Sequence, residues 1–200
     1  MIAAAPPLRM NIARIDGQLS PEAYELRIDP VAGIALIGNS SAGIARGLQS
    51  LRDILPLQPQ PENGVSLPAL FISDAPRFEY RGLLLDVARN FHPKETVFRL
   101  LDLMARYKLN VLHLHLTDDQ GWRPFIDSYP RLTEVGALHA SNQNLEGGYY
   151  TKEELREIVA YAAARFITVV PEIESPGHSL AALAAYPWLG CSGEDYEVPY

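Results

Sequence analysis

"NVLHLHLTDDQGWR" (Asn110–Arg123) runs an apolar segment straight into two adjacent carboxylates, a glycine and a tryptophan. The segment has the length of a buried strand. An unpaired carboxylate is costly to bury, so Asp118 and Asp119 belong where the strand emerges and something can meet them. A polar turn after a core strand is the lesser alternative to a pocket, and the flanking sequence has to decide. Upstream, "RGLLLDVA" (81–88) is a second apolar strand, followed by a helix in "HPKETVFRLLDLMARYK" (92–108). Pro93 suits that helix's first turn, and Val97, Leu100, Leu101 and Met104 form its buried stripe. Downstream, after a long loop, Thr151 and Glu154 make a capping box for a helix in "TKEELREIVAYAAARF" (151–166). Its expected buried positions are Leu155, Ile158, Val159, Ala162 and Phe166, and "ITVVPEIE" (167–174) is the third strand. Continuous apolar strands alternating with helices read as parallel βα units covered by helices, an α/β fold.

The region before this has a different pattern. "YELRIDPVAGIALI" (24–37) reads as two short strands around a Pro/Gly turn, and "SSAGIARGLQSLRDILP" (40–56) as a helix. Ser41 can cap that helix, with Ile44, Leu48, Leu51 and Leu55 on one face and Pro56 as its stop. A loop and a strand in "SLPALFIS" (66–73) complete a small α+β unit. The expected division is residues 1–75 for this unit and 76–200 for the βα units.

The totals bound the function classes. The 200 residues are 48% hydrophobic and 20% charged, enough for a real core. A net charge of −7 without a block of like charge argues against a protein that tracks nucleic-acid phosphates. One cysteine, Cys191, rules out an internal disulfide. No apolar stretch approaches the roughly 18–20 residues of a membrane span. The opening "MIAAAPPLRMN" lacks the pattern of a signal peptide, but a truncated start would look the same, so localisation stays open.

All three strands of the second region end in polar residues. Asp86 and Arg89 follow the first, Asp118 and Asp119 the second, and Glu172, Glu174 and His178 the third. In parallel α/β folds, function gathers at the carboxyl ends of the strands, and polar residues at three successive ends exceed what turns need. Ordinary alternatives are an arginine salt bridge for Arg89 and a helix-terminal histidine for His178. His113 and His115 stand two apart on one strand, so both rings share a face, as metal-dependent amidohydrolases require. That is a rival enzyme class, open at this level.

The segments 81–93, 110–123 and 147–187 ("GGYYTKEELREIVAYAAARFITVVPEIESPGHSLAALAAYP") closely resemble glycoside hydrolase family 20, the β-N-acetylhexosaminidases. The resemblance runs from about Leu19 to the end. It implies the first three βα units of a TIM (β/α)₈ barrel, preceded by a partial small α+β domain. It also implies hydrolysis of terminal non-reducing N-acetylhexosamine from an oligosaccharide or glycoconjugate, with retained configuration. The substrate's own acetamido oxygen acts as nucleophile, an exception to the two-carboxylate scheme, and no cofactor or metal is needed. Arg89 is then the arginine that grips sugar hydroxyls, through a fork of donors that does not titrate. Asp118 and His178 resemble the pair supporting the acid/base glutamate, and Glu174 matches an acidic position of the same shell. Asp119 and Trp122 line the pocket or hold the loop. His113 and His115 become interior packing residues.

The family's adjacent Asp-Glu pair, aspartate orienting the acetamido group and glutamate handling the proton, has no counterpart here. No Asp-Glu dipeptide occurs in the sequence; Glu194-Asp195 has the reverse order and no preceding strand. A barrel takes about 250 residues, and about 125 follow Ala75. The expectation is therefore a fragment whose catalytic pair lies downstream of Tyr200, inactive by itself. The alternative is a carbohydrate-binding module without the chemistry.

Overall fold

A computed structural model describes residues 7–56, 65–138, 147–192 and 194–199, and the chain divides into two units, residues 1–79 and 80–200.

In the first unit, the strands are β1 (Leu8–Ile12), β2 (Tyr24–Asp29), β3 (Gly33–Gly38) and β4 (Leu70–Asp74), with helix α1 (Ser41–Ile54) between β3 and β4. The sheet order is β1-β3-β2-β4, β1 parallel to β3 and the other pairs antiparallel. The β2–β3 turn forms because the Asp29 carboxylate accepts from the Val31 and Ala32 amides, both at 2.8 Å, and Gly33 takes φ 87. Ser40, not Ser41, caps α1, its hydroxyl accepting from the Ala42 and Gly43 amides. Both serines suit the role, and the chain enters the helix one residue earlier than expected. The buried stripe is also rotated. Ile44, Leu51 and Ile54 pack on Tyr24, Leu26 and Leu36, while Leu48 and Leu55 are exposed. Gly47 sets the rotation, because a Cβ there would overlap the Leu36 and Tyr24 side chains. β1 was not anticipated. All five of its residues are exposed and its partner lies far along the chain.

In the second unit, β5 (Gly82–Asp86), α2 (Lys94–Arg106), β6 (Val111–His115), α4 (Lys152–Ala163) and β9 (Thr168–Glu172) alternate as expected. Between β6 and α4 lie the short strands β7 (Thr117–Asp118) and β8 (Gly121–Trp122) and helix α3 (Arg131–Gly136). Helix α5 (Leu180–Ala185) and a 3₁₀ turn (Pro187–Leu189) follow β9. Sheet β5-β6-β9 is parallel throughout, in the register Leu84–His113–Val170 and Asp86–His115–Glu172. The chain thus forms α/β units of the barrel type, preceded by a small α+β unit.

The period-two geometry of strands sorts the side chains. Leu83, Leu85, Leu112, Leu114 and Val169 pack against Val97, Leu101 and Met104 of α2 and Ile158 and Ala162 of α4. Leu84 and Val170 point the other way and are 53% and 41% exposed. The capping box of Thr151 and Glu154 is formed. Pro93 sits at the N-cap of α2, one place before the helix. Val159 and Phe166 are exposed instead of buried. Val159 lies beyond the Leu155–Ile158–Ala162 stripe, and Phe166 follows the helix end at φ 57, so it no longer follows helical periodicity.

Candidate functional site

Asp86, His115 and Glu172 are the last residues of β5, β6 and β9 and lie in register. Past His115 the chain turns through the β7–β8 hairpin, which is pinned to the sheet. The Leu116 amide donates to Glu172 O at 3.1 Å, and the Arg123 amide to Leu116 O at 3.0 Å. Gly121 is required in the hairpin, because a Cβ would overlap the Ala88 carbonyl and the Arg123 guanidinium. This geometry places Asp118 against the ends of all three strands.

The Asp118 carboxylate is buried and surrounded by donors. Its Oδ2 lies 2.7 Å from Arg89 Nη2 and 2.8 Å from His115 Nε2. Its Oδ1 accepts from the Asp119 amide at 2.8 Å and from His178 Nδ1 at 3.1 Å. Burial alone would raise its pKa. The Asp119 amide, His115, Arg89 and His178 outweigh burial and hold the pKa below the usual carboxylate range. Asp86 grips the other side of Arg89. It accepts from Nη1 at 2.6 Å and from the Ala88 and Arg89 amides, both at 3.0 Å. The hydrogen bond to Asp86 also raises the pKa of the guanidinium, which stays charged. Each terminal nitrogen of Arg89 keeps a second N–H, and the side chain is 41% exposed. The result is a fixed cation with free donors, standing at the strand ends.

Arg123 builds the loop that carries Arg89. It is fully buried and donates to the carbonyls of Val87 (2.9 Å), Ala88 (2.6 Å), Ala137 (3.2 Å) and Gly148 (3.0 Å). Burial pushes its pKa down to about 10, so it remains charged at neutral pH. Tyr150, also buried, donates its hydroxyl to the carbonyl of His92.

The structure brings Arg89, Asp118 and His178 together. His178 adopts φ 54, a region unfavourable for a residue with a Cβ, as its ring meets Asp118. Glu174 is tied through its backbone, the amide donating to Thr117 Oγ1 at 2.8 Å. Asp119 accepts from the Leu180 amide at 3.1 Å, joining the hairpin to the segment after β9. Trp122 donates Nε1 to Pro124 O at 2.8 Å, and its ring borders a cavity of about 600 Å³ with Tyr129, Tyr186 and Trp188. His113 contacts Glu172 Oε2 at 2.8 Å. Among the described residues, two groups have metal-ligand types within 4.8 Å of one another: His115, Glu172 and Glu174, and Asp118, Asp119 and His178. Neither includes His113; its Nε2 and His115 Nδ1 both face Glu172 Oε2, at 2.8 and 2.7 Å, and His115 Nε2 faces Asp118 Oδ2. The expectation that His113 and His115 only pack is therefore corrected, since both rings meet carboxylates.

Arg123 was given no role by the sequence, and Glu172 only a place among the polar strand ends. Glu172 had a usable signal, the strand-end register. Arg123 had none, since carbonyl partners leave no mark in a sequence.

Comparison with known proteins adds an independent line. The model of glycosyl hydrolase family 20, catalytic domain, matches residues 78–199, and that of family 20, domain 2, matches residues 3–75. A beta-hexosaminidase of Porphyromonas gingivalis is 46% identical over 184 residues, covering 90% of this chain and 24% of the relative. The N,N'-diacetylchitobiase of Vibrio harveyi is 41% identical over 216 residues, covering 96% of this chain and 24% of the relative. The solved β-N-acetylhexosaminidase of Streptomyces coelicolor A3(2) superposes with a TM-score of 0.88 at 40% identity, over 96% of this chain and 39% of its own. The chain thus spans about a quarter of the length of these two sequence relatives.

Proposed function

Because the chain belongs to glycoside hydrolase family 20, we propose that it supplies the sugar-gripping part of a β-N-acetylhexosaminidase acting on terminal N-acetylhexosamine of oligosaccharides or glycoconjugates. The observation that carries this reading is the Arg89 guanidinium, fixed by Asp86 and Asp118 with donors to spare. Charge-assisted donors of this kind bind vicinal hydroxyls at fixed geometry, and their cost of ordering is already met by the two carboxylates.

The neighbouring groups suit proton chemistry. With Asp118 ionised, His178 Nδ1 carries the hydrogen that Asp118 accepts, which leaves Nε2 as the ring's outer nitrogen. Asp118 and His178 can then tune an acid/base group beside them, with Glu174 on the same side. In the proposed reaction the acetamido oxygen attacks the anomeric carbon as the glycosidic bond breaks, while an acid protonates the leaving oxygen. Water then opens the cyclic intermediate with retention. The acid would be the glutamate of the family's Asp-Glu pair, a dipeptide not found among these 200 residues. The activity is therefore proposed for the natural full-length protein.

The test is a pair of chromogenic substrates offered to that protein, an aryl N-acetyl-β-glucosaminide and the aryl β-glucoside. Hydrolysis of the first alone is expected, because only it carries the nucleophile. Equal hydrolysis of both would overturn substrate assistance. Saturable binding of N-acetylglucosamine without hydrolysis would favour a carbohydrate-binding module.

A further inference from the structure

Among the described residues, His115 is the one site-facing side chain whose two ring nitrogens each meet a different carboxylate. Nε2 lies 2.8 Å from Asp118 Oδ2, and Nδ1 lies 2.7 Å from Glu172 Oε2. The ring is 8% exposed. It stands between the hairpin that carries Asp118 and the end of β9, the strand leading to Glu174 and His178. We propose that His115 is a positioning residue which bridges Asp118 to Glu172 and thereby holds Asp118 with Oδ2 toward Arg89 and Oδ1 toward His178.

Geometry supports this in three ways. Nε2 hydrogen-bonds Asp118 Oδ2 and Nδ1 faces Glu172 Oε2 at 2.7 Å, so the ring spans the two carboxylates, and a proton on each nitrogen makes both contacts favourable. Asp118 has two oxygens and three cationic or ring donors. Without His115, Oδ2 loses one of its two side-chain partners, and the carboxylate can rotate about its χ2 bond, a broad torsion. Glu172 holds the far side of the ring and also meets His113 Nε2 at 2.8 Å, so the bridge is anchored in β9. The charged groups facing the ring are Asp118, Glu172 and Asp86, with Arg89 and His178 reached through Asp118 and His113 and Glu174 through Glu172. Burial opposes the charge on His115, but its bonds to Glu172 and Asp118 prevail and raise its pKa.

This inference rests on the proposed sugar site, and two measurements separate the two ideas. The first is the ¹⁵N side-chain spectrum of His115 in the natural full-length protein, assigned through its bonds to the His115 backbone. Both nitrogens are expected to be protonated at neutral pH. A neutral single-proton tautomer would overturn the bridge whether or not the protein is a hydrolase. The second is the pH profile of kcat/KM for His115→Gln on the N-acetylglucosaminide. Loss of the cation removes support from the Asp118 carboxylate, so the acidic limb should move to higher pH by roughly half a unit or more, with kcat falling more than KM rises. A parental profile with parental kcat would show that Asp118 is positioned without His115. If the variant does not fold, the ¹⁵N result on the parent decides.

Discussion

The two faces of the β5-β6-β9 sheet are built from alternate residues of the same strands, and they do different work. One face, with Leu83, Leu85, Leu112, Leu114 and Val169, is apolar and covered by α2 and α4. The other has half-exposed Leu84 and Val170 in its middle, and Asp86, His115 and Glu172 at its carboxyl end. A shift of one residue in register would exchange the two sets, so the hydrophobic face that secures the fold also aims the charged groups. Stability and chemistry are thus separable by position, and substitutions on each face should show it.

The largest stability effect is expected on the covered face. Leu112 is fully buried within that core, so Leu112→Ala should cost about 2–5 kcal/mol. Urea unfolding of this chain followed by tryptophan fluorescence measures it in the right unit, since both tryptophans, Trp122 and Trp188, lie in residues 80–200. A loss below about 1 kcal/mol would mean that this face is not the stabilising one.

A smaller effect comes from pH and belongs to the charged end. Asp118 and Glu172 have depressed folded-state pKa values, Asp118 against the cost of burial and Glu172 chiefly through its bond to His115. Their contribution is present above the ordinary carboxylate range near about 4 and is lost as pH falls through the folded values. His115 has a raised pKa, its carboxylate partners outweighing burial. Its contribution is complete below its ordinary value of about 6.5 and is lost as pH rises through the folded value. The urea midpoint should therefore be highest between about pH 4 and 6.5 and fall on both sides. A flat alkaline side would remove the charged His115 from the account. The smallest effect belongs to Leu84, where Leu84→Thr in this chain should change stability by no more than about 0.5 kcal/mol.

The same division explains how much could be read from the sequence. The α4 capping box was legible because Thr151 and Glu154 sit three residues apart and satisfy each other locally. The α/β alternation was legible because buried strands leave long apolar runs. Arg89, Asp118 and His178 were singled out by their strand-end positions and by family motifs, and the fold does bring them together. Helix stripes were read one residue off where packing overrode periodicity, as with Gly47 against Leu36. β1 escaped because strand pairing between distant segments depends on the partner as much as on Leu8–Ile12 itself. His115 was taken as packing from the family resemblance, and its place in an apolar run gave no sign of the carboxylates on either side.

The central claim is that the Arg89 guanidinium, held by Asp86 and Asp118, grips the sugar. The direct measurement is steady-state kinetics of Arg89→Ala in the natural full-length protein on an aryl N-acetyl-β-glucosaminide. Loss of charge-assisted hydrogen bonds worth about 1.5–3 kcal/mol should lower kcat/KM by roughly tenfold or more, with the circular dichroism spectrum unchanged. Parental kcat/KM in a folded Arg89→Ala protein would contradict the claim.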